Sequence, residues 1–117
     1  MATTSTFPRR LTNYVAGEWV QGTGKQADLF HAVTGDKIAE ASTSGIDYRA
    51  MVDHARRVGG PALRKLTFHE RARRLKTLAS HLIARKDGFY AISAMTGATK
   101  ADSWIDIEGG IGTLIRP

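Results

Sequence analysis

The hydrophobic period of this chain changes once, at Gly45–Asp47, and that change limits what the chain can fold into. Before it, β-favouring residues sit between glycine-bearing turns. "NYVAGEWVQG" (Asn13–Gly22) predicts a short β-hairpin, with Tyr14-Val15 and Trp19-Val20 as strands and Ala16-Gly17-Glu18 as the turn. Gly17 supplies the positive φ that such a turn needs. "DLFHAVTGDKIAEAST" (Asp28–Thr43) predicts a second extended pair, with Thr34-Gly35-Asp36 turning between Leu29-Phe30-His31 and Lys37–Glu40.

After the change, apolar residues recur at helical spacing. Asp47 caps a helix expected over Tyr48–Val58, and "VGGP" (Val58–Pro61) is expected to break it. "TFHE" (Thr67–Glu70) is a capping box, and Ala72, Leu75, Leu78, Ala79, Leu82 and Ile83 form one apolar stripe behind it. A third helix, Asp87–Thr96, is expected to bury Phe89, Ile92 and Met95 and to end at Gly97. A fourth starts near Lys100 with Trp104, Ile107, Ile111 and Leu114 on one face. Gly109, Gly110 and Gly112 lie inside it, and each costs about 1 kcal/mol relative to Ala. They make sense if another element packs very close, or if the helix needs neighbours that lie elsewhere.

Composition narrows the function classes. Of 117 residues, 42% are hydrophobic and 24% charged, which is a globular composition. No apolar run approaches the ~20 residues of a transmembrane helix, so no membrane partner is expected. There are no cysteines, which removes disulfides, thiolate metal sites and a Cys nucleophile from this chain and fits a cytoplasmic location. "MATTSTFPRRLTN" has no apolar core and is not a secretory signal; residues 1–12 are expected to be a flexible polar lead. The net charge is +6. Its excess lies between Arg49 and Lys86, where only Asp53 and Glu70 oppose eleven bases. A nucleic-acid surface is therefore an alternative to weigh. The bases lack interleaved aromatics apart from Phe68, Phe89 and Tyr90, so an ordinary amphipathic face is expected and no nucleic-acid partner.

Several short motifs have the look of chemistry. "GTGK" (Gly22–Lys25) lacks the leading glycine and the following Ser/Thr of a phosphate loop and is expected to be a plain loop. "GGIG" (Gly109–Gly112) has no preceding strand and carries Ile115 where a dinucleotide turn has its third glycine. His31, His54, His69 and His81 show no metal spacing, so no metal site is expected. Asp102 and Asp106 share a helix face with Glu108 nearby, which is expected to be a solvated face near a helix N-terminus. No catalytic, cofactor-binding or metal residue is assigned from the residues themselves.

"NYVAGEWVQG" followed by "HAVTGDKIAEASTSGIDYRAMVDHAR" resembles the opening of the aldehyde dehydrogenase superfamily, and "FHERARRLKTLASHLIARKDGFYAISAMTGAT" is similar to its next two helices. The resemblance covers about residues 11–115. "GGPALRKLTFHERARRLK" and "TGATKADSWIDIEGGIGTL" resemble one branch, the dehydrogenase half of the bifunctional phenylacetate-degradation enzymes (oxepin-CoA hydrolase and semialdehyde dehydrogenase). The semialdehyde dehydrogenases of benzoyl-CoA degradation are the nearest competitor.

What the resemblance implies is an α/β fold, aldehyde dehydrogenase-like, of which 13–117 is the N-terminal part of the cofactor-binding domain. It implies antiparallel β-hairpin segments followed by about four helices. It implies NADP- or NAD-dependent oxidation of a CoA-linked semialdehyde in a cytoplasmic homo-oligomer, with the remainder of the dehydrogenase chain as partner and a separate hydratase domain in that branch. The family's catalytic Cys, Glu base, Asn and cofactor residues lie further along a longer chain, so this stretch is expected to bind no NADP or NAD and to be inactive alone. A small basic nucleic-acid-binding module and a structural or assembly module using the Trp104–Leu114 face are the alternatives.

Overall fold

The computed structural model describes residues 9–115, which belong to two compact units, Met1–Pro61 and Ala62–Pro117. In the first unit, β1 (Arg9–Arg10), β2 (Asn13–Val15), β3 (Glu18–Val20), β4 (Ala27–Phe30) and β5 (Lys37–Ala41) precede helix α1 (Tyr48–His54). β2 and β3 form the expected antiparallel hairpin, with Tyr14 opposite Trp19 and their rings 5.1 Å apart. Both central turn residues have positive φ, Ala16 at 52° and Gly17 at 94°. This is the handedness that matches strand twist. It suits glycine and strains alanine by about 1 kcal/mol.

β4 and β5 are antiparallel, with Leu29 opposite Ala39 and an irregularity between Leu29 and Phe30. β1 adds a parallel partner on the other side of β5, pairing Arg9 with Ala39 and Arg10 with Glu40. Two residues of the segment expected as a lead therefore form a strand, and residues 1–8 of that lead lie outside the described residues. β5 is central in its sheet, which is why Ala39 is buried.

The loops after β3 and β5 are pinned to each other. The Thr23 amide donates to the Ser44 carbonyl at 2.9 Å, the Ser42 hydroxyl donates to the Thr23 carbonyl at 3.2 Å, and the Asn13 side-chain amide donates to the Ser42 carbonyl at 2.8 Å. Gly22 makes this approach possible, because a Cβ there would fall on the Ser42 carbonyl group.

Asp47 caps α1 as expected, accepting from the Ala50 amide at 2.9 Å. The expected break at Val58–Pro61 does not occur. A π-helical turn, Ala55–Gly59, follows α1, and α2 (Gly60–Arg64) follows the turn. The Gly60 amide donates to the Ala55 carbonyl, five residues back. Pro61 lies inside this continuous helical run, just after the π turn.

The second unit contains α3 (Phe68–Ile83), α4 (Lys86–Met95), α5 (Lys100–Trp104), a second π turn (Ile105–Gly109) and α6 (Gly110–Thr113). The capping box forms: the Thr67 hydroxyl accepts from the Glu70 amide at 3.2 Å, and Glu70 Oε2 accepts from the Thr67 amide at 2.7 Å. Gly97 ends α4 with φ 84°. Thr99 caps α5, accepting from the Asp102 amide at 3.2 Å.

The expected burial is the main correction. Within the α3 stripe Ala79 is buried, whereas Leu75, Leu78 and Ile83 stay exposed. Ile92, expected in the core, is 62% exposed. Helices this short and few border these side chains without covering them. The expected Trp104–Leu114 stripe is split as well, because the π turn carries one residue more than an α turn. Trp104 lines a cavity with Tyr90 and Lys100, whereas Ile107, Ile111 and Leu114 line another with Leu82 and Phe89. Close packing does not account for the glycines among the described residues, since a Cβ on Gly110 or Gly112 would meet nothing within 4 Å.

Gly22→Ala is expected to destabilise the first unit by about 3 kcal/mol, as overpacking against backbone does, and to strip hydrogen-exchange protection from the Thr23 amide. Ala16→Asn is expected to stabilise the hairpin by about 1 kcal/mol by relieving the left-handed strain, read as a higher urea midpoint.

Candidate functional site

The residues weighed as chemistry are distributed over both units. His31 sits in the β4–β5 turn, where its Nδ1 accepts from the amides of Val33 at 3.2 Å and Thr34 at 3.3 Å. His69 lies edge-on to the Phe68 ring. His81 contacts the Arg85 guanidinium through Nδ1 at 3.1 Å. His54 ends α1. Among the described residues no three His, Asp or Glu side chains converge as a metal site. Gly22–Lys25 is the pinned loop of the first unit, not a phosphate cradle. Asp102 sits in the first turn of α5, near the helix N-terminus as expected, exposed, and accepts from the hydroxyl of the capping Thr99 at 2.6 Å.

The bases of the middle stretch lie on helix surfaces. Arg71, Arg73, Arg74 and Lys76 of α3 are exposed. Arg49 approaches Asp53 at 3.8 Å, one helical turn away.

One cluster joins residues far apart in the sequence. Glu108, on the second π turn, reaches α4 and accepts from Lys86 Nζ at 2.9 Å and from the Tyr90 hydroxyl at 3.1 Å, both through Oε1. The Lys86 ammonium beside it holds the Glu108 carboxyl below the usual glutamate range. Glu108 in turn raises Lys86. Burial first, and then the bond to Glu108, raises the Tyr90 phenol. These three residues line an open cavity of about 610 Å³ together with Lys100, Ser103 and Trp104. Beneath it the Ser93 and Ser103 hydroxyls pair at 2.7 Å, with Ser103 only 2% exposed.

Lys86 and Tyr90 are one helical turn apart on α4, whereas Glu108 is 18 residues beyond Tyr90. No local pattern announces such a pair. In the sequence Glu108 stands close to Asp102 and Asp106, but the structure points it at α4. As chemistry the cluster is a charge-assisted brace between helices: its carboxylate is engaged by a cation and a phenol.

The NADP or NAD implied for this kind of chain finds no fit in the one motif that resembled its turn. Gly109–Gly112 lies within the second π turn and α6, and no strand leads into it.

Comparison with known proteins adds two findings. The sequence model of the aldehyde dehydrogenase family matches residues 19–115. A 3,4-dehydroadipyl-CoA semialdehyde dehydrogenase of Aromatoleum evansii is 40% identical over 106 residues, which is 90% of this chain and 21% of that relative. The chain thus spans about a fifth of the length of the curated relative it matches.

The brace has a defined pH window. Glu108 titrates below its ordinary 4.5, so its contribution is full above 4.5 and is lost as pH falls through the depressed value. Lys86 titrates above 10.5, so its contribution is full below 10.5 and is lost as pH rises through the raised value. A pH series of urea midpoints is expected to show both limbs. Glu108→Gln is expected to flatten the acid limb that this group contributes.

Proposed function

Because this chain belongs to the aldehyde dehydrogenase family, we propose that it is the N-terminal part of an NAD(P)-dependent dehydrogenase. In this reading the enzyme oxidises a CoA-linked semialdehyde to its acid in aromatic degradation. The observation that carries the substrate class is the 40% identity, over 90% of this chain, to a relative whose name specifies a CoA-linked semialdehyde. The phenylacetate branch is the narrower form of the proposal, supported by the likeness of residues 59–76 and 96–114 to that branch.

The chemistry belongs to the longer protein: a Cys thiolate attacks the aldehyde and a hydride passes to NADP or NAD. This chain has no cysteine. Its part is to supply scaffold. The exposed Leu75, Leu78, Ile83 and Ile92 of the second unit are surfaces against which the remainder of the dehydrogenase chain packs. In this reading the full protein works in the cytoplasm as a homo-oligomer. No helix among the described residues is long and apolar enough to cross a membrane.

The test is an assay of reduced nicotinamide formation, run on the 117-residue chain and on the product of the gene extended to the length of its relative. The extended protein is expected to turn over a CoA-linked semialdehyde with a kcat/KM at least about tenfold above that for the same aldehyde without CoA, because the remote CoA portion contributes binding energy to the reacting end. The chain alone is expected to be silent. Turnover by the chain alone, or indifference of the extended protein to CoA, overturns the reading.

A further inference from the structure

Both π turns among the described residues end on a Gly-Gly pair. Ala55–Gly59 runs into Gly60, and Ile105–Gly109 runs into Gly110. A π turn is a one-residue insertion in a helix, and such turns recur where a helix does something besides span. Removing the insertion rotates everything beyond it by about 100°. Without Cβ atoms, a Gly-Gly pair opposes neither form sterically and has little intrinsic preference for the α form.

The two turns differ in one respect. On the first, Arg57 Nε reaches only the Asp53 carbonyl at 3.4 Å, within its own helical run. On the second, Glu108 is tied to a different helix, through Lys86 at 2.9 Å and Tyr90 at 3.1 Å. The consequence is visible along the apolar residues. At α spacing Trp104, Ile107, Ile111 and Leu114 share one face. In the structure Trp104 is separated from the other three and lines the cavity that Glu108, Lys86 and Tyr90 also line.

We infer that Glu108 is the latch of a register switch: its bonds to Lys86 and Tyr90 hold Ile105–Gly109 in the π form, and releasing them returns the helix to the α form. In the released form Trp104 leaves the Lys86–Tyr90 cavity and rejoins the line of Ile107, Ile111 and Leu114. The residues beyond Gly110 turn with it, which resets the face that Ile111 and Gly112 present to Ala79 and Ile83 across the cavity they line together. Glu108 is thus a positioning residue for α6. The conformational change needs no ligand of its own, only a competitor for the carboxylate or for Lys86.

The chain has two tryptophans, so Trp19→Phe leaves Trp104 as the sole reporter. In that background, Glu108→Gln and Lys86→Met are each expected to shift the Trp104 emission maximum and its acrylamide quenching. They are also expected to change hydrogen exchange at Gly109–Gly112 and leave Ala55–Gly60 unchanged. Lys86→Arg, which keeps the cation, is expected to keep the original emission. Raising salt on the Trp19→Phe protein screens the pair and is expected to shift the emission the same way, which decides the matter even if a charge variant does not fold. Unchanged emission and exchange on both neutralisation and salt would overturn the latch. So would equal changes at the two π turns, because they would mean general loosening.

Discussion

Burial of apolar surface is the largest favourable contribution to most folds, and in this chain few side chains are enclosed. Ala39 and Ala79 are the buried apolar residues among those described, and no large side chain is fully buried. Trp19 at 72% exposure and Trp104 at 56% face solvent. Elements that cannot lean on a shared core are held by backbone and cap contacts. Asp47, Thr67 and Thr99 cap their helices. The pinned loops at Thr23 and Ser44 hold the first unit. The Ser93–Ser103 pair and the Glu108 brace join α4 to α5 and the turn after it in the second.

That arrangement agrees with a chain matching 21% of its relative's length. Leu75, Leu78 and Ile92 lie exposed on the helices of the second unit. The same view separates the roles of the charges. The surface bases of α3 are solvated, while Lys86 is engaged with Glu108 and so takes part in helix placement.

Glycine serves opposite ends in the two units. At position 22 the missing Cβ lets two loops touch, and nothing larger fits. At 110 and 112 the missing Cβ faces open space. Close packing within the described residues does not explain that pair, and the adjoining π turn at Ile105–Gly109 gives Gly110 a conformational role. A glycine's sequence position does not distinguish these cases, because both the crowding partner and the open space are tertiary facts.

The order of strands and helices, the two turns and the Asp47 and Thr67 caps were legible in the residues, because each depends on interactions spanning a few positions. The family was legible in the same way, through local strings such as "NYVAGEWVQG". The parallel strand at Arg9–Arg10, the contact of Gly22 with Ser42 and the reach of Glu108 to Lys86 were not, since their partners are 30, 20 and 22 positions away. The α-helical period foretold one face for Trp104 through Leu114. A single inserted residue, the Ile105–Gly109 π turn, decided otherwise. The sequence by itself determined which elements form, because caps, turns and period act within one or two turns of chain. Only the tertiary structure decided which faces meet, because that depends on which distant residue is there to accept the contact.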